Sequence, residues 1–199
     1  MAQVLTAPTR DDVLRARETI GARLPRTPLL SSRTVGARLK CELFQRTGSF
    51  KARGALNKIS SLSTAEKNRG VIAISAGNHA QAVAYAAAAE GIDALVVMWR
   101  GASEQKIAAT RGYGAQVDLQ ASNPAEAFER LHTLQEETGR TLVHPFDDPL
   151  VLAGAGTVGI ELEEDAPDAD ARCARSAFSS RRWKRSTRPP VSTSFCFPV

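Results

Sequence analysis

From Gly70 onward the chain alternates short apolar runs with helix-forming stretches, and that order restricts the fold more than any other feature. Val71-Ile72-Ala73-Ile74 is apolar throughout, the pattern of a strand buried on both faces. Residues 78–90 are rich in alanine and run into Gly91, a natural helix terminator. Residues 94–98 then predict a strand, 103–111 a helix, 116–119 a strand, roughly 124–138 a helix and 141–144 a strand. Strands separated by helices build an α/β fold, an open and mostly parallel twisted sheet with helices on both faces. The chain contains no internal repeat.

Sheets of this kind bind ligands beyond the carboxyl ends of their strands, where loops lead into helices. The loop after residues 71–74 is Ser75-Ala76-Gly77-Asn78-His79. It offers a hydroxyl, a glycine that permits close approach, a carboxamide and an imidazole. Free N–H groups at the start of the following helix can receive an anion such as a carboxylate. Ser75 or Asn78 would equally serve as a helix cap, and on the loop alone both readings stand.

Upstream, residues 11–24 carry Val13, Ala16, Ile20 and Leu24 on one face of an amphipathic helix that Pro25 ends. Arg26-Thr27-Pro28-Leu29-Leu30 reads as an extended entry segment, and residues 40–44 as a short strand. Then comes Gln45-Arg46-Thr47-Gly48-Ser49-Phe50-Lys51-Ala52-Arg53-Gly54-Ala55. Ser49 is a natural N-cap for a helix over 49–61, with Ala52, Leu56, Ile59 and Leu62 at helical spacing. Lys51 falls in the first turn, where the positive helix end opposes a second positive charge and favours the neutral, nucleophilic amine. Residues 64–69 form a further short helix.

These two segments resemble the fold-type-II pyridoxal-phosphate enzymes, in the branch of threonine/serine dehydratases and serine racemase. The family's S-F-K-x-R-G-A run is filled by Ser49, Phe50, Lys51, Arg53, Gly54 and Ala55, and its serine–glycine–asparagine–histidine loop by Ser75, Gly77, Asn78 and His79. The resemblance implies a tryptophan-synthase-β-like fold and pyridoxal 5'-phosphate attached through Lys51, which also acts as the catalytic base. It implies that Phe50 and Asn78 contact the cofactor and that Ser75, Gly77, Asn78 and His79 line the site for the substrate carboxylate. The implied reaction converts threonine or serine to a 2-oxo acid and ammonia. Cysteine synthases fit poorly, because their lysine segment and asparagine loop differ. Serine racemases usually place a second serine where Ala76 stands, so dehydration is the expected activity and a racemase relative the alternative. Residues 144–149 and 153–157 also resemble the dehydratases, with Ala155 in place of the usual glutamine.

The resemblance runs from about Asp11 to about Asp170 and then stops. Where the family enters a buried strand and a glycine run that cradles the cofactor phosphate, residues 171–199 contain no glycine. They hold seven of the 26 Lys/Arg and none of the 21 Asp/Glu, so the net charge of +5 is a property of this tail and the rest is mildly acidic. Two readings compete. The tail is an evolved basic arm with an acidic partner, which would make the chain a non-catalytic, nucleic-acid-contacting protein. Alternatively, a frame shift replaced the rest of the protein: codons for residues 172–176, read one base back, can encode Val-Cys-Pro-Val-Gly. The second is favoured, and nucleic acid is disfavoured as a partner.

The expected organisation is therefore 1–48 as the start of a larger, incomplete domain, 49–150 as a small α/β domain, 151–170 as a return segment, and 171–199 as a disordered basic tail. A chain truncated in this way is expected to be inactive. The three cysteines, Cys41, Cys173 and Cys196, have neither disulfide-framework nor zinc-ligand spacing, and no metal site is expected. No apolar run reaches membrane-spanning length and residues 1–10 do not form a signal peptide, so a cytoplasmic protein without a membrane partner is expected. A homo-oligomer is compatible with this reading.

Overall fold

The computed structural model describes residues 7–34 and 36–168. The expected tail lies outside the described residues. Helix α1 (Arg10–Ile20) opens on a capping box in which the Thr9 hydroxyl accepts from the Asp12 amide and Asp12 accepts from the Thr9 amide at 2.7 Å. It ends before the expected Leu24, because Gly21 turns the chain at φ +49° into a 3-10 turn, Gly21–Arg23. Strands β1 (Leu29–Ser32) and β2 (Ala37–Lys40) pair antiparallel.

The expected strand over 40–44 is not formed. Strand β2 stops at Lys40 and Glu42–Phe44 is a 3-10 turn. That turn directs Glu42 inward, where it accepts from Arg53 and Thr27, and leaves Leu43 and Phe44 exposed. Helix α2 (Lys51–Ser60) starts with Phe50 as its N-cap residue, not Ser49. Ser49 is extended (φ −161°, ψ 160°) and its hydroxyl, although buried, has no partner, so the expected capping bond is absent.

Helix α3 (Thr64–Arg69) leads through Gly70 into β3 (Val71–Ile74), and α4 (Asn78–Ala89) follows the Ser75–Gly77 turn. Then come β4 (Ala94–Trp99), α5 (Glu104–Gly112), β5 (Gln116–Ala121), α6 (Pro124–Thr138), β6 (Thr141–Leu142) and α7 (Pro149–Asp165). The second sheet has the order β5-β4-β3-β6 and is parallel at every pairing. Strand β6 is shorter than the expected 141–144, although the Val143 amide still donates to Ile72.

The alternation of side chains across the central strands explains the layers. Val71, Ala73, Val96 and Met98 pack toward α2 and α4, while Ile72, Ile74 and Val97 pack against Ala127, Leu131 and Leu134 of α6. Helix α2 lies between α4 and α7. Its crossing with α7 is close because two glycines meet there. A Cβ on Gly54 would stand 2.6 Å from the Val151 carbonyl oxygen, and one on Gly154 would stand 2.6 Å from the Arg53 carbonyl oxygen. The Ala153–Thr157 run is thus a packing surface inside α7.

A buried ionic cluster locks this crossing. Arg53 pairs with Glu42 at 2.9 Å and with Glu161 at 2.6 Å, and Lys40 pairs with Glu161 at 2.7 Å and Asp165 at 3.0 Å. Glu161 is buried despite its charge, because these two cations lie on the inner side of α7. Burial raises the Glu161 carboxyl, but Arg53 and Lys40 outweigh it and hold it below the ordinary range.

Candidate active site

The parallel sheet places the loops after β3 and β6 side by side at its carboxyl edge, and the first turn of α2 meets them there. Lys51 is the first helical residue of α2, and its amine donates to the Pro145 carbonyl at 2.7 Å. The same amine stands 5.1 Å from the Phe50 ring centre. Burial pushes the Lys51 amine below its ordinary value, favouring the neutral form. The direction is the expected one, with removal from water as its cause.

His79, in the first turn of α4, is tied to the same strand end. Its Nε2 lies 2.8 Å from the Val143 carbonyl, which can only accept, so Nε2 carries the proton. Nδ1 is then a bare acceptor, buried and without a donor. Burial, aided by the charges of Lys51 and His144, lowers this imidazole to about 4, so it is neutral near pH 7. His144 is also lowered by burial, and its Nδ1 accepts from the Asp147 amide at 2.8 Å. Both rings act as neutral struts of the loop.

Neither Ser75 nor Asn78 caps α4. The Ser75 hydroxyl accepts from the Gly77 amide at 3.0 Å, closing the turn ahead of the helix. Gly77 is the N-cap residue and offers no side chain, and the Asn78 carboxamide has no hydrogen-bond partner among the described residues. A Cβ on Gly77 would meet only Lys106 Nζ at 3.7 Å and Ser75 Oγ at 3.9 Å, both ordinary contacts. The glycine therefore leaves room at the helix end that the protein's own packing does not require.

The buried side-chain polar atoms without a partner, among the described residues, are Thr47 Oγ1, Ser49 Oγ and His79 Nδ1. All three lie in the lysine segment and the asparagine loop. Buried polar groups are nearly always satisfied, so these three atoms mark the two segments as places where the described residues leave hydrogen-bonding capacity unused. Thr47 also holds a left-handed backbone (φ 62°, ψ 11°), the one positive-φ non-glycine among the described residues. The sequence reading gave Thr47 no role, because a left-handed backbone at a threonine has no signature in the sequence. It missed the Pro145 carbonyl, a backbone group without a sequence signature, and Lys106, whose approach comes from the neighbouring β4–α5 unit.

A family model described as pyridoxal-phosphate dependent enzyme matches residues 22–175. The chain belongs to this family. The catabolic L-threonine dehydratase TdcB of Escherichia coli (strain K12) is 45% identical over 166 residues, covering 80% of this chain and 50% of the relative. The L-threonine ammonia-lyase of Thermotoga maritima is 50% identical over 168 residues, covering 81% of this chain and 42% of the relative. Among solved structures, maize serine racemase matches with a TM-score of 0.79 at 37% identity, covering 83% of this chain and 52% of that one. The chain spans about half the length of the curated relatives it matches.

The family's group fits the residues present at its carbonyl end: a desolvated amine, an unengaged carboxamide and buried polar atoms awaiting partners. No group of three or more His, Cys, Asp or Glu is placed to hold a metal among the described residues.

Proposed function

We propose that this chain carries the lysine-bearing half of a pyridoxal-phosphate-dependent threonine/serine dehydratase, which converts a hydroxy amino acid to a 2-oxo acid and ammonia. The observation that carries the reading is the desolvated Lys51 amine, held by Pro145 beside the open N-terminal end of α4. Pyridoxal phosphate, when bound, supplies a carbonyl and an electron-withdrawing ring. Lys51 would hold the group through its amine, and the same Nζ would serve as the base that takes the substrate's α-proton. Phe50 and Asn78 would hold the ring, and the Ser75–His79 turn would receive the substrate carboxylate on its backbone N–H groups. Ala76 has no ionisable proton to deliver to the opposite face of the α-carbon, which supports elimination over racemisation.

The reading includes a free amino-acid substrate and a cytoplasmic setting. Residues 49–150 form its small domain, and 1–48 with 151–170 belong to a larger one. No helix among the described residues is long and apolar enough to cross a membrane. A homo-oligomer is compatible with it.

The test is borohydride reduction of the protein mixed with pyridoxal phosphate, followed by peptide mass analysis. A pyridoxyl adduct on Lys51, lost in Lys51→Ala, is expected, together with negligible 2-oxo acid formation from threonine by this chain alone. An adduct spread over surface lysines, with none enriched at Lys51, overturns the reading.

A further inference from the structure

We infer that His144 is a positioning residue for Lys51, closing the turn that presents the Pro145 carbonyl to the amine; the inference rests on Lys51 being the reacting amine of the proposed function. The Asp147 amide donates to His144 Nδ1 at 2.8 Å, and the Phe146 amide points to the same atom at 3.4 Å. Pro145 has no N–H to contribute. Among the described residues, no backbone–backbone hydrogen bond closes residues 144–147. The imidazole therefore takes the part that a carbonyl plays in an ordinary turn. The Phe146 ring meets it edge-on, with centres 4.7 Å apart, which fixes its plane.

Both flanks of the turn are anchored independently of His144. The Val143 amide donates to Ile72, and the Val143 carbonyl accepts from His79 Nε2 at 2.8 Å. Asp148 caps α7 by accepting from the Leu150 and Val151 amides, and it pairs with Lys58 at 2.8 Å. Between these anchors the Pro145 carbonyl is the acceptor that Lys51 reaches at 2.7 Å. Opening the turn would leave β6 and α7 in place and withdraw that carbonyl. Water would then reach an amine whose charge is opposed by burial, and its neutral fraction would fall.

The turn closes only on a bare Nδ1. A second proton on the ring would face two N–H groups and open it. Burial lowers the His144 imidazole, Asp147 and Asp148 oppose that, and the Lys51 charge on α2 adds to it. Of the other groups nearby, His79 on α4 stays neutral down to about 4, and Lys58 on α2 is balanced by Asp148. The turn is thus closed at neutral pH. It opens as pH falls through the His144 value, and the Lys51 contact goes with it.

The experiment uses the full 199-residue chain without added cofactor. Trace acetylation with acetic anhydride across a pH series, read by peptide mass analysis, gives a titration midpoint for Lys51 and, as a control, for Lys67. His144→Ala is expected to raise the Lys51 midpoint by about one unit toward 10.5, a roughly tenfold loss of neutral amine below the midpoint, and to leave Lys67 unchanged. A general weakening of the fold would move both lysines. His144→Asn should keep the wild-type midpoint, because an asparagine oxygen accepts from the amide two residues on, here Phe146. In the wild type the Asp147 amide NMR shift should follow the titration of the His144 ring. His144→Asn supplies the baseline due to the Asp147 carboxyl alone. An unmoved Lys51 midpoint in His144→Ala, an equal rise in His144→Asn, or an Asp147 amide indifferent to the His144 titration overturns the inference. The pyridoxyl adduct is read separately, so its absence from Lys51 with these midpoints as expected would reject the dehydratase reading and not the positioning role.

Discussion

Lys51 donates to the Pro145 carbonyl at 2.7 Å, across a boundary between the first turn of α2 and the loop after β6. The contact holds the amine at the sheet edge while burial opposes its charge. Because the folded value lies below that of an unfolded lysine, folding carries a penalty below the folded pKa. That penalty is relieved as pH rises from the folded pKa toward 10.5. Lys51→Met should therefore raise the urea midpoint at neutral pH, with a gain that shrinks as pH approaches 10.5. A constant gain across that range, measured by urea titration at several pH values, would show that the amine is not destabilised by burial.

His79 works in the same direction at the acid end. Its imidazole is lowered to about 4 against an ordinary 6.5, so between these values the unfolded chain binds the extra proton and stability falls as pH falls. At 1.36 kcal/mol per pKa unit the full loss is about 3 kcal/mol. His79→Gln should flatten the dependence of the urea midpoint on pH below 6.5. Glu90, held down to about 2 against burial by Lys67 and Arg23, loses its contribution as pH falls through 4.5 toward 2. The comparison is cleanest above 4.5.

The parallel sheet and its helices were legible because buried strands such as Val71–Ile74 and alanine-rich helices write their burial directly into composition. Residues 64–69 and 124–138 agree with the structure to the residue, since Ser63 and Asn123 cap them and a glycine follows each. Lys51, Asn78 and His79 were legible as motif members. What they touch was not, because the partners of Lys51 and His79 are the Pro145 and Val143 carbonyls. The strand expected over 40–44 failed for a tertiary reason. Glu42 belongs to the Arg53 cluster, and an inward carboxylate at that place outweighs the local apolar run Leu43-Phe44.

The two glycines at the α2–α7 crossing have a testable role. In Gly54→Ala the new methyl would press on the Val151 carbonyl at 2.6 Å, a backbone atom that cannot rotate away. Overpacking of this kind costs about 1–3 kcal/mol, or a midpoint about 2–4 °C lower per kcal/mol for a domain of this size. Gly159, on the same α7, has nothing within 4 Å of its Cβ position, so Gly159→Ala should be neutral or raise stability by up to about 1 kcal/mol. Thermal unfolding of the two variants side by side separates crowding at the crossing from a general effect of alanine.

The Arg53–Glu161 pair should behave as a coupled unit. Arg53 is 2% exposed and Glu161 9%, and each is bonded to further charges, Glu42 on one side and Lys40 on the other. Removing one member leaves a buried charge short of its partner, which typically costs about 3–5 kcal/mol. Arg53→Met deprives both Glu42 and Glu161 and leaves Glu42 without a cation, so it should be the more severe single change. Glu161→Leu leaves Arg53 on Glu42 and Lys40 on Asp165 and should cost less. In the double variant Lys40 retains Asp165 at 3.0 Å, and the hydrophobic pair can pack at the α2–α7 interface. Its loss should fall short of the sum of the singles by at least about 1 kcal/mol, within the range for residues in direct contact. Because Glu161 is lowered in the folded state, its contribution is present above 4.5 and lost as pH falls through the folded value. Urea unfolding of the four proteins at neutral pH gives the coupling directly. Strict additivity would mean that Arg53 and Glu161 stabilise the crossing independently, and that the cluster is not what locks α2 against α7.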